Sequence, residues 1–291
     1  MSDRLAFAFT SNQDSSQDAV LASYQFGNNE WTQSWYTGQT SKFGPAIAVF
    51  DNKLWVAFVV SNGSNDIFVC SSSDGTHWSP AVVTGQSSQF PPTLAAFNNK
   101  LWLAYVANNS SNAVLVSSSP DGSSWSGSID TNQSSLCTPS IAVFNNSLRI
   151  AFIAHDKEIL TASSKEGLGW STASHSGQTS KCAPTLAVFN GNLWVAFVAS
   201  NPGNGILICS SSDGRAWSGA TDTGQTSIWA PSLAAVDSTL WLAFVADNSS
   251  GEVLVSSSSN GTHWSGSALT GAQSTNAPSA TLLNLSGVVT A

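Results

Sequence analysis

One set of polar side chains recurs along this chain at a spacing near 47 residues. Gly38-Gln-Thr-Ser41, Gly85-Gln-Ser-Ser88, Asn132-Gln-Ser-Ser135, Gly177-Gln-Thr-Ser180 and Gly224-Gln-Thr-Ser227 are near copies, and Gly271-Ala-Gln-Ser-Thr275 is an altered sixth. They supply Gln39, Gln86, Gln133, Gln178 and Gln225, with Ser41, Ser88, Ser135, Ser180 and Ser227. A second set is an amide in a polar segment: Asn12, Asn62, Asn109, Asn201 and Asn248, with Asp156 in one copy. A third position, two residues before a recurring proline, holds Phe43, Phe90, Cys137, Cys182, Trp229 or Asn276. An amide offers donor and acceptor together to neighbouring hydroxyls, and an aromatic ring can stack on the C–H face of a sugar. The candidate ligand contacts are these Gln, Ser and Asn residues together with Phe90 and Trp229. The competing reading is structural: Gln and Ser can satisfy loop backbone groups, and Asn in a loop commonly forms an Asx turn.

Other chemistries find little support. Only four Glu are present, Glu30, Glu158, Glu166 and Glu252, and no pair stands out as the two carboxylates of a glycosidase. Asp156 and Glu158 share one polar segment that reads as a solvated loop. His77, His155, His175 and His263 show no metal-ligand spacing, and there is no G-x-S-x-G or phosphate loop. No catalytic residue, metal ligand or cofactor site is expected. A net charge of -8 and a pI near 4.7 argue against nucleic acid and anionic membranes as partners. No run approaches a membrane span and no secretion signal is visible at Met1–Thr10, so a cytoplasmic or non-classically secreted protein is expected, monomeric or homodimeric.

These side chains need a repeating scaffold. Pro45, Pro92, Pro139, Pro184, Pro231 and Pro278 are separated by 47, 47, 45, 47 and 47 residues. Within one unit, Pro45–Phe50, Leu54–Val60 and Ile67–Cys70 are short apolar runs bounded by Asn, Asp, Gly and Ser, and His77-Trp-Ser79 opens a fourth segment. Runs apolar on both sides imply sheets covered on both faces. Four antiparallel strands per unit make a propeller blade. Arg4–Phe9 matches a second strand and Pro278–Asn284 a first strand, so the chain ends should share one blade and close the ring. The expectation is an all-β, single-domain (1–291) six-bladed β-propeller. Its composite blade is 1–37 plus 278–291, and the others start near 45, 92, 139, 184 and 231. The polar links and the loops between second and third strands should share one face, here called upper. Cys70 and Cys209 occupy equivalent positions, as do Cys137 and Cys182, too far apart for the disulfide Cα separation of about 4.4–6.8 Å, so free thiols are expected. Trp55, Trp102, Trp194 and Trp241 should be core, with Arg149 and Ala6 at the equivalent positions.

Ser73-Asp-Gly-Thr-His-Trp78, Asp121–Trp125, Asp213–Trp217 and Asn260–Trp264 resemble the Asp-box of sialidase-like propellers, with one residue fewer between Asp and Gly. That resemblance implies a structural hairpin remote from any active site. A sialidase also needs three converging arginines, and of Arg4, Arg149 and Arg215 the last lies in a lower turn and Arg149 near the lower end of its strand, so the three cannot meet on the upper face. Taken with the phrases Gln-Thr-Ser-Lys, Leu-Ala-Val-Phe-Asn and Leu-Trp-Val-Ala-Phe-Val-Ala, nearly the whole chain resembles six-bladed tandem-repeat propeller lectins of fungi and bacteria. The resemblance implies a non-enzymatic, multivalent glycan-binding protein capable of agglutination. Its mushroom members suggest terminal N-acetylglucosamine or a related N-acetyl sugar.

Overall fold

The computed structural model describes residues 4–11, 18–27 and 30–285. Among these residues there is no helix, and six antiparallel sheets radiate from one axis as a six-bladed β-propeller. In blade one the order from the axis outward is Ala46–Phe50, Lys53–Val59, Asp66–Ser72 and Val82–Ser87. Blades two to five follow from Pro92, Pro139, Pro184 and Pro231 in the same way. The composite blade pairs Arg4–Ser11 with Ser279–Leu283, Ala6 lying opposite Thr281, so strands from the two ends of the chain complete one sheet and close the ring.

Local chemistry sets each hairpin. Asp51 and Asn52 have φ of 49° and 53°, and Asn98 and Asn99 have 49° and 55°. Two consecutive left-handed residues between strands form the tight turn whose twist matches the sheet, and Asn and Asp tolerate that conformation best after Gly. The lower turn between third and outer strands is the Asp-box. Asp121 Oδ1 accepts from the N–H groups of Ser123 and Ser124 at 2.8 and 2.7 Å, while Ser119 Oγ accepts from Gly122 N–H at 2.7 Å. Those two backbone bonds hold the Asp121 carboxyl well below the usual carboxylate range, and the N–H groups of Arg215 and Ala216 do the same for Asp213. The segment expected to open the fourth strand at His77 belongs to this turn, and the outer strand starts only at Val82.

Adjacent blades are locked by a ring lying flat on a glycine. The Trp55 ring covers Gly122 of the next blade so closely that a Cβ there would fall 2.0 Å from Cη2. Trp102 covers Gly167 and Trp194 covers Gly261 in the same way. The Trp55 indole N–H meanwhile donates to the Phe50 carbonyl of its own blade at 3.1 Å. In blade three Arg149 takes the aromatic's place. Its Nη1 donates to the Gly214 carbonyl at 3.3 Å and its guanidinium carbon stands 5.7 Å from the Phe144 ring centre. In the composite blade Ala6 leaves the space empty, and Tyr24, directly across the ladder from Ala6, fills it against Gly75. The core role expected for Trp55, Trp102 and Trp194 is what the structure shows, Trp241 is half-buried against the core of blade five and the composite blade, and the two exceptions are repaired by different chemistry.

Around the axis, the innermost strands would leave backbone groups unpaired. Hydroxyls from the preceding blade meet several of them: Ser140 Oγ accepts from Leu186 N–H at 2.9 Å, Ser232 Oγ from Ala280 N–H at 2.9 Å, and Ser279 Oγ from Ile47 N–H at 3.2 Å. All four cysteines are free, and burial pushes the Cys70 and Cys209 thiols up to about 12.

The glycine contact gives a sharp test. Gly122→Ala forces a Cβ into both a left-handed backbone and an indole ring. It should lower the unfolding free energy by about 2–5 kcal/mol, the sum of backbone strain and overpacking, measured by urea denaturation. Acid should act on the same turns. Asp121 and Asp213 have folded pKa values below the unfolded value of about 3.9, so their contribution to stability is complete above that value and disappears as pH falls toward the folded values. Asn260 already performs the Asp role in blade five, its Oδ1 accepting from Thr262 and His263 N–H at 2.9 Å. Asp121→Asn with Asp213→Asn should therefore fold and flatten the loss of stability below pH 4.

Candidate functional site

The Gly-Gln-Thr-Ser phrases are not free links. They form the upper half of each outer strand, beginning at a bulge where the register with the third strand shifts, as between Asp66 and Phe68. Gly38, Gly85, Gly177, Gly224 and Gly271 take φ of 71–79° there, and Asn132 takes 57°. A bulge residue in left-handed conformation explains why Gly recurs and why Asn is its one replacement. The threonine before it fastens the bulge: Thr84 Oγ1 donates to the Ile67 carbonyl at 2.8 Å and Thr223 Oγ1 to that of Ile206 at 2.7 Å.

Beyond the bulge three of the glutamines reach the following blade. Gln86 Nε2 donates to the Ser126 carbonyl at 3.3 Å, Gln133 Nε2 to that of Ser171 at 3.4 Å and Gln225 Nε2 to that of Ser265 at 3.5 Å. Gln86 Oε1 also accepts from Tyr105 and Ser128, which makes it the most enclosed of the five. Gln39 and Gln178 lie half-buried at the same register. The serines are more fully committed. Ser41, Ser88, Ser135, Ser180 and Ser227 are all buried. The first four donate to the carbonyls of Phe43, Phe90, Cys137 and Cys182 at 2.7–2.8 Å, and Ser227 Oγ accepts from Trp229 N–H at 3.1 Å. Ser41 and Ser180 also reach the second strand of the next blade, at the carbonyls of Val59 and Val198. The hydroxyls of Ser41, Ser135 and Ser180 fasten blades together, and those of Ser88 and Ser227 hold the link after the outer strand. Burial and backbone partners favour the structural reading of these serines over the ligand-contact one.

The asparagines do reach the upper face. Asn62 Oδ1 accepts from Ser64 N–H at 3.0 Å, Asn109 from Ser111 at 2.9 Å, Asn201 from Gly203 at 3.1 Å and Asn248 from Ser250 at 3.0 Å. Each is an Asx turn that consumes the oxygen and leaves the exposed Nδ2 pair without a partner among the described residues. Asn12 lies outside the described residues. The platform positions are unequal. Phe43 packs inward beneath Lys42, whose Nζ is 5.1 Å from the ring centre, and Phe90 is half-buried. Asn276 Nδ2 donates to Thr10 at 2.9 Å. Trp229 stands out at 39% exposed.

A further set of rim contacts escaped the sequence reading. Lys42 Nζ donates to Asn65 Oδ1 at 3.0 Å, and Asn65 passes a bond on to Asn108 of the next blade at 3.1 Å. Gln89 reaches Asn112 at 2.6 Å, while Lys181 reaches Asn204, which bonds Asp247 at 3.0 Å. Asn65, Asn112 and Asn204 share φ of 52–59°, and an Asn recurring four residues before a strand's apolar centre was the available signal. Blade five has Ile228 and Gly251 at the corresponding places and makes no such stitch, so its upper edge presents Ile228, Trp229 and Asn248 uncovered.

Along the axis runs a cavity of about 460 Å³. Its wall is Gly44 with Pro, Ala, Val, Leu, Ile, Ser and Thr from all six innermost strands and Asn284, and among the described residues no Asp or Glu lines it. Arg149 is held under Gly214, so it cannot join Arg4 and Arg215 in a substrate clamp. No group of His, Cys, Asp and Glu among the described residues could hold a metal ion.

No protein-family model and no curated protein sequence matches this chain. Solved structures do resemble it. A mutant of the Aleuria aurantia lectin in complex with Fucalpha1-6GlcNAc superposes with a TM-score of 0.62 at 13% identity, covering 94% of this chain and 98% of that one. An alpha-L-arabinofuranosidase from Clostridium thermocellum gives 0.55 at 14% identity, over 82% and 99%. A GH43 enzyme from Xanthomonas citri complexed with xylose gives 0.51 at 12%, over 76% and 88%. At these identities the likeness establishes the propeller fold. The fold is thus shared by sugar-binding and sugar-cleaving proteins.

The assignment of the serines is open to test. Ser180→Ala removes the one hydroxyl hydrogen that the Cys182 and Val198 carbonyls share and leaves the Cys182 N–H unserved, which should cost about 1–3 kcal/mol in urea denaturation while leaving any glycan affinity of the folded protein unchanged.

Proposed function

We propose that the protein is a multivalent carbohydrate-binding protein whose contacts lie along the upper rim, strongest at blade five. The observation that carries this reading is an exposed indole, Trp229, on the same blade edge as an Asx-turn amide, Asn248, whose Nδ2 has no partner among the described residues. An aromatic face and an unpaired donor pair are the two features a pyranose requires. Asn62 and Asn109 repeat the amide beside Phe43 and Phe90, so weaker versions of the site recur at blades one and two. Several weak sites on a rigid ring raise apparent affinity for a glycan-coated surface by roughly 10²–10⁴. The resemblance to mushroom lectins makes terminal N-acetylglucosamine the first ligand to try. The neighbouring structures add fucose-containing and xylose-containing glycans.

A hydrolase reading has the GH43 likenesses in its favour. Usual glycosidase chemistry needs two carboxylates facing each other about 5–9.5 Å apart. A channel wall with no Asp or Glu among the described residues supports binding without turnover.

A glycan array with the full chain should give signals for one family of terminal sugars. Trp229→Ala should weaken the selected ligand at least about fivefold, the loss of more than 1 kcal/mol usual for a truncated interface tryptophan, with an unchanged unfolding midpoint. An array with no signal from folded protein would remove the reading. Release of nitrophenol from chromogenic arabinoside or xyloside would replace it with the enzymatic one.

A further inference from the structure

The outer strand of each blade ends its sheet and turns an open backbone edge to the solvent. One outward position on that strand can be compared six times, because its ladder partner on the third strand is equivalent in every blade. It is Tyr36, Val83, Asp130, His175, Asp222 and Leu269 in the composite blade and blades one to five. The apolar three are strongly exposed: Leu269 61%, Val83 51% and Tyr36 46%. The residues just before them, Ala268, Val82 and Trp35, are apolar as well. Blade five, the composite blade and blade one are consecutive around the ring, so the three positions form one arc. The opposite arc, at the same backbone position, carries two aspartates and a histidine. Glu30 lies at the lower end of the composite outer strand, beyond the register of the arc.

Charged residues on edge strands are the usual protection against edge-to-edge association. Blades two and four have that protection in Asp130 and Asp222, blade three carries the polar His175, and the arc has neither. We propose that this arc is a dimer interface, where two copies of the chain meet arc to arc about a two-fold axis. The charge pattern selects this occupant. In a protein of net charge -8, two copies approach most easily where neither presents a carboxylate. Docking the arc of one copy on the opposite arc of another would bury Asp130 or Asp222 against Leu, Tyr or Val without a counter-charge. A contact in which both partners supply the same apolar patch is self-complementary and closed, so it stops at two copies and does not run on into a filament. The dimer would also double the number of upper rims carried by one particle.

The protein itself supplies the test variants, since Asp already occupies the same register in blades two and four. Val83→Asp with Leu269→Asp should therefore fold, as checked by far-UV circular dichroism. Sedimentation equilibrium of the full chain should show a concentration-dependent dimer for the unmodified protein. The double variant should raise the dimer dissociation constant by more than about tenfold, equivalent to about 1.4 kcal/mol. An unmodified protein that remains monomeric at every concentration overturns the proposal, whatever else the arc binds. So does a folded double variant that dimerises as well as the parent.

Discussion

Each blade of this propeller is incomplete without the next. The constraint behind this is the backbone of a sheet: an innermost strand has a neighbour on one side only, and its remaining N–H and C=O groups must find partners near the axis. Hydroxyls from the preceding blade answer part of that demand at Ile47, Leu186 and Ala280. The same dependence reappears at the lower edge, where a ring from one blade roofs the glycine of the next, and at the outer strand, where Gln86, Gln133 and Gln225 reach forward to a carbonyl. A structure built from forward contacts has no natural end. Pairing Arg4–Ser11 with Ser279–Leu283 returns the last contact to the first blade.

That dependence explains how much of the chain could be read from its residues. The period, the strand runs and the split composite blade all follow from apolar runs punctuated by Asn, Asp and Gly, and the structure has the architecture they imply. The site was harder to read. Gln and Ser at every unit looked like a repeated pocket, yet recurrence in a ring first reflects what every junction must satisfy. Ser41 and its equivalents are invariant in this chain because each supports the same backbone crossing. The Gly of each phrase recurs because a bulge needs a left-handed residue, as Asn132 shows by exception. Spacing alone does not report which way a side chain leaves a bulged strand, and the reach of Gln86, Gln133 and Gln225 to the following blade is visible only in the structure.

The departures from the repeat carry more functional information than the repeat does. Arg149 and Tyr24 are repairs, since each restores cover over a glycine that its own blade position failed to provide. Trp229 and Ile228 repair nothing. They replace a half-buried ring and a polar stitch with exposed apolar surface. Asn248, on the same blade edge, keeps its Asx turn, and its Nδ2 has no partner among the described residues. The upper rim is consequently six related but unequal edges, graded by how much of each is consumed in joining blades.

The most direct test of sugar binding at this rim is a crystal structure of the full chain soaked with the glycan that an array selects. Density for the sugar against Trp229, within hydrogen-bonding distance of Asn248 Nδ2, is the predicted result. Density confined to the axial channel or to the lower Asp-box face, with the upper rim empty, would contradict it.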